Sequence, residues 1–156
     1  GFDALTGSIE KLNITGKKGL KLSKYWKSGP KSFLGLLVPN FPNMFIVSGP
    51  GSPSVLTNVP VQIEQHVEWI TKCIKYLENN KRQSIESTNV AANKWQKEIM
   101  NSVKKTLFMK AKSSWYKGDN IPGKSKSFLP YPGGMPKYRK ACLKVEKTNY
   151  KELKIT

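Results

Sequence analysis

Apolar residues recur along this chain at helical spacing in three places, which predicts three helices. We expect them over about residues 59–79, 87–108 and 137–147. The apolar stripe of the first comprises Ile63, Val67, Ile70, Ile74 and Leu77. The stripes of the others comprise Ala91, Trp95, Ile99, Val103 and Leu107, and then Tyr138, Ala141, Cys142 and Val145. Capping oxygens on Thr57 and Asn58 place the first helix start near residue 59.

Alternation of apolar and polar residues predicts short strands. Residues 9–14 and 44–47 are predicted strands, and Leu20 and Leu22 are a possible hairpin partner for the first. Residues 109–136 hold four prolines and four glycines, so they cannot form a long regular element. Their aromatic residues, namely Trp115, Tyr116, Phe128 and Tyr131, predict that this segment docks on the rest of the fold.

The turn Gly49–Ser54, with the sequence GPGSPS, lies between the predicted strand 44–47 and the first long helix. A glycine-rich turn that leads into a helix can hold an anionic or polar ligand, because the first N–H groups of the helix are free and its dipole adds positive charge. The alternative is a tight connection that merely needs glycine for positive φ. The residues alone leave both interpretations open.

The net charge of +17 suggests a basic module that binds anions or nucleic acid. The charge is lysine spread along the chain, and only Arg82 and Arg139 are arginines, so no specific nucleic-acid site is predicted. Cys73 and Cys142 are expected to be reduced core thiols, and no metal site is expected. His66 is interpreted as a structural residue at the edge of the buried stripe. No run is long enough to span a membrane, and a cytoplasmic location is expected.

Residues 118–125, GDNIPGKS, fit the spacing of a phosphate-binding P-loop. That loop functions only between a buried strand and a helix. Here the sequence before it is a poor strand, and the sequence after it carries Pro130, Pro132 and two glycines. We therefore interpret this match as accidental.

Several long segments resemble the C-terminal portion of Baeyer–Villiger monooxygenases of the phenylacetone and cyclohexanone monooxygenase type. These segments are GFDALTG, WKSGPKSFLGL, FPNMFIVSGPGSPSVLTNVPVQIEQHVEWI, TLFMKAKSSWYKGDNIPGK and YPGGMPKYRKACLKV. They occur in the family's order, and the resemblance as a whole extends over essentially all 156 residues. The start at Gly1, without methionine, also suggests a piece of something longer.

The resemblance implies an α/β fold class, as the C-terminal part of a flavoprotein with two Rossmann-like dinucleotide-binding domains. Residues 1–79 would complete the FAD-binding domain, and residues 80–156 would form a helical extension with a lid at 109–136. The family uses FAD, NADPH and O2 to insert oxygen into ketones by way of a flavin peroxide, giving esters or lactones. An N-hydroxylating or S-oxygenating flavin monooxygenase is the alternative within flavoproteins.

Site residues follow from the resemblance by position. Those expected to bind the cofactors are Thr57, Asn58, Val59, Trp115 and Lys124, and those expected at the substrate pocket are Ser54, Val55, Leu56 and Tyr116. Many relatives carry methionine where Val59 stands, and Asp119 replaces the alanine of the family's GAN motif. The latter change would put a negative charge near an anionic cofactor.

The chain has neither a GxGxxG fingerprint nor a segment resembling the one with the family's catalytic arginine. No catalytic residue is therefore expected within it. We expect the upstream domains of the same polypeptide to supply those parts. The isolated chain should be inactive and should bind FAD weakly or not at all.

Overall fold

The computed structural model describes residues 3–156, so Gly1 and Phe2 of the opening GFDALTG segment lie outside the described residues. The helices are α1 (Gly7–Glu10), α2 (Leu22–Tyr25), α3 (Val59–Asn79), α4 (Asn89–Val103) and α5 (Met135–Lys147). The strands β1 (Ile85–Ser87) and β2 (Leu153–Ile155) pair antiparallel, with Ile85 opposite Ile155. Short 3-10 turns occupy Lys17–Gly19, Ser54–Leu56, Leu107–Lys110 and Trp115–Lys117.

The three predicted helices are confirmed, and their caps explain where two of them begin. α3 covers the predicted range, and Asn58 Oδ1 accepts a hydrogen bond from the Val61 N–H at 3.2 Å. α4 begins after Thr88, whose Oγ1 accepts from the Ala91 N–H at 3.0 Å. It ends at Val103 rather than at the predicted residue 108, because Thr106 turns extended and caps a separate 3-10 turn.

The buried face predicted for α3 is wrong. Its buried residues are Gln62, His66, Trp69, Cys73 and Leu77. Of the predicted stripe, Leu77 is buried and Ile70 packs against the core, but Ile63, Val67 and Ile74 are 39, 48 and 42% exposed. The periodicity locates apolar residues correctly but cannot show that two polar side chains, Gln62 and His66, are buried through hydrogen bonds.

The buried faces predicted for α4 and α5 are largely confirmed. In α4, Ala91, Trp95, Ile99 and Val103 are buried as predicted, whereas Leu107 is 75% exposed because the helix has ended before it. In α5, Tyr138, Cys142 and Val145 are buried, and Ala141 packs against the core.

The strand predictions are wrong in detail. Residues 9–14 form no strand, since α1 occupies Gly7–Glu10 and the nearest ladder contact is an isolated bridge between Thr15 and Lys21. Leu22 begins α2 instead of returning as a hairpin. Within residues 44–47 only Phe45 makes a bridge, to Leu37. Alternation over so few residues does not make a strand unless a neighbour supplies hydrogen bonds.

Two hydrophobic clusters hold the described chain together. The larger joins α3, α4 and α5 with residues 33–37 and 128–131. Its centre contains stacked rings of Trp95 and Tyr131, whose centroids are 4.9 Å apart. The smaller cluster comprises Leu22, Trp26, Val38, Phe41 and Ile46. Phe128 and Tyr131 are buried, which confirms that the irregular segment 109–136 docks through its aromatic residues.

A close backbone approach joins the GPGSPS turn to the segment before it. Gly35 has φ +70, and a Cβ there would overlap the backbone nitrogen of Ser52. Gly19 has nearly the same φ, +74, but faces open space. A comparison of substitutions at Gly35 and Gly19 therefore separates the energetic cost of positive φ from the cost of crowding Ser52.

We expect Gly35→Ala to lower the free energy of unfolding more than Gly19→Ala does. Both alanines suffer the left-handed backbone penalty of about 1–2 kcal/mol. Only residue 35 also displaces the turn at Ser52, which adds roughly 1–3 kcal/mol of overpacking. Equilibrium urea unfolding of the two variants measures the difference, and equal losses would contradict the close approach.

Candidate functional site

The turn before α3 is buried, and its backbone polar groups are satisfied from several directions. The Trp95 indole N–H donates to Gly51 O at 2.8 Å. The Gly51 N–H donates to Leu129 O at 2.6 Å, and the Tyr131 N–H donates to Ser52 O at 2.7 Å. The Ser52 hydroxyl donates to Gly49 O at 2.8 Å. The turn is therefore a rigid platform.

His66 ties this turn to α3 and α5. The Ser48 N–H donates to His66 Nδ1 at 3.1 Å, so Nδ1 carries no proton. The neutral ring then holds its proton on Nε2, which lies 2.8 Å from the Tyr138 hydroxyl oxygen. The Tyr138 hydroxyl donates onward to Leu34 O at 2.6 Å. This relay fixes one tautomer and one ring orientation.

The surroundings of His66 oppose its protonation. The residue is fully buried, and this burial lowers its pKa from 6.5 to about 4. His66 was expected at the edge of the buried stripe, and this position is wrong because the side chain lies inside the core. Gln62, one turn earlier, is also fully buried, and its Nε2–H donates to the Ser48 hydroxyl at 2.9 Å.

The start of α3 presents two backbone donors. The Val61 N–H is capped by Asn58 Oδ1, Pro60 has no N–H, and the Gln62 N–H donates to Asn58 O. Among the described residues, the N–H groups of Asn58 and Val59 are left without an acceptor, at the positive end of a helix of 21 residues. They can bind an electron-rich oxygen or nitrogen atom.

Three of the four residues predicted at the substrate pocket, Ser54, Val55 and Leu56, directly precede the start of α3 along the chain. Ser54–Leu56 form a 3-10 turn that leads to Thr57, Asn58 and α3. Ser54 is buried with φ +50, while Val55 is 50% exposed. A left-handed serine costs energy, although Leu34, Ser48 and other non-glycine residues of this fold share that conformation. The turn leaves Val55 half-exposed close to the helix start along the chain.

A second group of predicted residues lies in residues 109–136, the segment predicted to form a lid. Trp115 and Tyr116 are half-buried and stacked, with ring centroids 4.0 Å apart. The Tyr116 ring also packs against Phe108 at 5.2 Å. The Lys124 ammonium donates to Thr6 Oγ1 at 2.6 Å and is paired with Asp3. Lys124 therefore attaches the lid to the first residues of the described chain.

Asp119 is turned into its own loop. Its carboxylate accepts from the Ser114 N–H at 2.6 Å and is paired with the Lys117 ammonium at 2.9 Å. The hydrogen bond from Lys117 is the main cause that lowers the pKa of Asp119. The negative charge is therefore neutralised locally, which sequence reasoning did not foresee.

One residue connects the two groups. The Leu129 N–H donates to Tyr116 O at 2.8 Å, and Leu129 O accepts from the Gly51 N–H at 2.6 Å. The lid and the turn before α3 are thus joined by the backbone of Leu129. Sequence reasoning missed Leu129 because a backbone contact leaves no signature in residue type.

The accidental P-loop match is also explained. Gly118 and Gly123 both have positive φ, so residues 118–125 form a winding loop. The next helix, α5, begins only at Met135. The segment therefore lacks the helix N-terminus that a P-loop requires.

No protein-family profile matches the chain, but individual known proteins do. It is 46% identical over 139 residues to cyclohexanone 1,2-monooxygenase of Acinetobacter sp, covering 89% of this chain and 25% of that protein. It is 39% identical over 153 residues to a Baeyer–Villiger monooxygenase of Pseudooceanicola batsensis, covering 98% of this chain and 28% of that protein.

Solved structures of cyclohexanone monooxygenase and of OTEMO also match this chain. Cyclohexanone monooxygenase from Rhodococcus sp. Phi1 bound to NADP+ matches with a TM-score of 0.94 and 38% identity, over 100% of this chain and 29% of that one. OTEMO in complex with FAD and NADP matches with a TM-score of 0.91 and 33% identity, over 100% and 28%. The chain thus spans about a quarter of the length of these relatives. The resemblance to Baeyer–Villiger monooxygenases and the α/β, Rossmann-like flavoprotein class are confirmed.

The burial of His66 predicts how stability depends on pH. The unfolded imidazole takes a proton near pH 6.5, whereas the folded one takes it only near pH 4. The stabilising contribution is therefore complete above pH 6.5 and is lost as the pH falls towards 4. The loss in the free energy of unfolding should reach roughly 3 kcal/mol. Urea unfolding at several pH values measures it.

The variant His66→Gln provides the control, because the carboxylates titrate in both proteins but only the wild type has this imidazole. The difference between the two stability curves should change between pH 6.5 and 4 and level off below. Parallel curves, or an NMR titration of the folded imidazole near pH 6.5, would contradict the neutral relay.

Proposed function

We propose that this chain forms one wall of the flavin site in an FAD- and NADPH-dependent Baeyer–Villiger monooxygenase. The enzyme would insert one oxygen atom of O2 into a ketone to give an ester or lactone. The carrying observation is the start of α3, where the Val59 and Asn58 N–H groups follow a buried turn and have no acceptor among the described residues. The likeness to cyclohexanone and other Baeyer–Villiger monooxygenases supports the same assignment.

The residues at this helix start fit FAD. The pyrimidine edge of a reduced flavin is electron-rich at N1 and at the C2 carbonyl, and the Val59 N–H with the helix dipole complements it. When bound, FAD supplies the transfer of electrons from NADPH to O2. The exposed Asn58 and the half-buried Thr57 flank this donor, and Ser54, Val55 and Leu56 line the adjoining substrate pocket.

The stacked pair in the lid is proposed to place Trp115 on the nicotinamide side and Tyr116 towards the substrate pocket. Trp115 on Tyr116 gives a flat apolar surface that can exclude water from the reacting atoms. Lys124 as a direct ligand of NADP stays a prediction. Its bonds to Thr6 and Asp3 support a role in anchoring the lid. The division into residues 1–79 and 80–156 also stays a proposal.

Other functions receive less support. N-hydroxylation or S-oxygenation would use the same wall, and the group oxidised would be set by the remainder of the enzyme. A basic nucleic-acid module would show a steep loss of affinity with salt. Among residues 3–156, no helix is long and apolar enough to cross a membrane. We also propose a cytoplasmic location, supported by two buried cysteines that remain thiols.

A chimera allows these assignments to be tested in an intact enzyme. In it, this chain replaces the matched segment of the Acinetobacter cyclohexanone monooxygenase. The chimera should bind FAD, oxidise NADPH and convert cyclohexanone to its lactone. A folded chimera that retains FAD yet makes no lactone would contradict the proposed reaction.

We expect Val59→Pro in the chimera to weaken binding of reduced flavin with little effect on the helix. Proline at the first helical position is tolerated, and Asn58 already has the extended conformation that a following proline needs. Losing a hydrogen bond to a charged group costs about 1.5–3 kcal/mol, which lowers the flavin midpoint potential by about 30–60 mV. Spectroelectrochemical titration measures the potential.

Val59→Ala is the matched control, since it shortens the side chain but keeps the N–H. It should leave the potential close to that of the parent chimera. If the proline and alanine variants shift the potential equally, the backbone donor is not used.

Trp115→Ala in the chimera tests the lid. We expect a higher KM for NADPH and more hydrogen peroxide released per NADPH consumed, with FAD retention little changed, because water then reaches the site. Stopped assays with peroxide quantification measure the uncoupling. A purely structural tryptophan would instead lower the melting temperature, with truncation costing up to roughly 3–5 kcal/mol and coupling unchanged.

A further inference from the structure

The 3-10 turn Leu107–Lys110, which follows α4, presents two apolar side chains to solvent. Leu107 is 75% exposed and Met109 is 45% exposed. Successive residues of a 3-10 helix lie about 120° apart around its axis, because the helix has three residues per turn. At most one of three consecutive side chains can therefore point straight at the fold, and the other two must point away from it.

Phe108, between the two exposed residues, is the side chain that faces the fold, and it holds the turn in place. Its ring centroid lies 5.2 Å from that of Tyr116 and 5.5 Å from that of Phe128. Thr106 fixes the start of the turn, because its Oγ1 accepts a hydrogen bond from the Phe108 N–H at 3.3 Å. The exposed side chains of Leu107 and Met109 therefore belong to a turn that is packed from beneath.

Four exposed lysines flank these side chains along the chain, namely Lys104, Lys105, Lys110 and Lys112. Within the described chain none of the four pairs with a carboxylate. Residues 99–118 contain neither aspartate nor glutamate, and Asp119, which follows them, is already paired with Lys117. Residues 104–112, which we call the lysine-rich turn, therefore combine unpaired positive charge with exposed apolar side chains.

This combination of charge and apolar surface selects among anionic partners. A nucleic acid would pair with the lysines, but it favours arginine and aromatic side chains and offers nothing to an exposed leucine. An acidic protein would need an apolar pocket shaped to fit Leu107 and Met109. An anionic lipid bilayer needs no such fit, since its headgroups attract lysine and its fluid acyl chains begin just beneath them. The lysine-rich turn therefore matches a bilayer surface best.

We propose that the lysine-rich turn is a peripheral attachment site for an anionic membrane surface, with Leu107 and Met109 inserted at the level of the headgroups. The chain would lie on the bilayer and not cross it. This inference goes beyond the proposed reaction and does not depend on it. In a monooxygenase, attachment would bring the lid next to a phase in which apolar ketones dissolve, because Phe108 packs against Tyr116.

Vesicle binding by the chimera tests the site in an intact enzyme, where the other domains cover whatever they normally cover. The anionic vesicles contain equal parts of phosphatidylglycerol and phosphatidylcholine, and vesicles of phosphatidylcholine alone are the neutral comparison. We expect sedimentation to show at least about tenfold tighter binding to the anionic vesicles. Leu107→Ala should weaken that binding about tenfold, because less apolar surface is inserted. Val90→Ala is the matched control, being 77% exposed on α4, and should leave it unchanged.

Two double variants separate the site from the overall charge of +17. Lys110→Gln with Lys112→Gln should weaken binding to the anionic vesicles at least about tenfold. Lys147→Gln with Lys151→Gln removes the same charge from exposed positions at the end of α5 and should leave binding close to that of the parent chimera. Equal losses for the two pairs would show that binding follows net charge alone, and would overturn the site.

Other results would also overturn the attachment site. One is equal binding to anionic and neutral vesicles. Another is a Leu107→Ala variant that lowers the melting temperature of the chimera yet leaves vesicle binding unchanged, because the other domains would then cover the turn. A third is a DNA duplex that binds more tightly than the vesicles do and is insensitive to Leu107→Ala. If the chimera does not fold, the same variants of the 156-residue chain itself should show the same changes in vesicle binding.

Discussion

The structure depends on satisfying the backbone of one buried turn. A glycine- and serine-rich segment inside a core exposes polar groups that water cannot reach, and each unpaired group would cost about 1–3 kcal/mol. Here an indole, a histidine and two neighbouring backbones supply the partners, through Trp95, His66, Leu129 and Tyr131. The partners come from different parts of the chain, so the turn can form only when α3, α4 and residues 129–131 are in place.

This constraint also explains how two distant stretches can serve one site. The lid is irregular, and alone its loop would be free to move. Leu129 attaches it by backbone bonds both to Tyr116 and to Gly51, and Lys124 anchors its other side to Thr6. The stacked rings of Trp115 and Tyr116 are therefore held at a fixed distance along the backbone from the turn that precedes α3.

The sequence predicts most of what is local and least of what depends on neighbours. The start of α3 follows from the capping residue Asn58, since a cap acts within one turn, and α4 begins within two residues of its predicted start, after the cap Thr88. The buried face of α3 does not follow, because hydrogen bonds to Ser48 and Tyr138 make a glutamine and a histidine the core residues. β1 and β2 are three residues each, too short for any period to show.

The candidate site also contains features that the sequence predicts and features that it does not. The sequence predicts the order of turn, free N–H groups and helix start at residues 54–59, because each of these depends only on neighbouring residues. It does not predict the ion pair between Lys117 and Asp119 or the backbone contacts of Leu129, because both arise from how an irregular loop folds back on itself. The replacement of alanine by aspartate therefore looks unfavourable in sequence, yet the carboxylate caps its own loop through the Ser114 N–H.

The chemistry of the helix start selects among ligands. A phosphate needs several convergent N–H donors, and glycine-rich phosphate loops supply them. At α3 the Asn58 cap occupies the Val61 N–H and Pro60 removes another donor, which leaves only the Asn58 and Val59 N–H groups with the dipole behind them. Such an end is a poor phosphate cradle and a good partner for one carbonyl or ring nitrogen that gains negative charge on reduction. Asn58 and Pro60 therefore narrow what this helix start can bind.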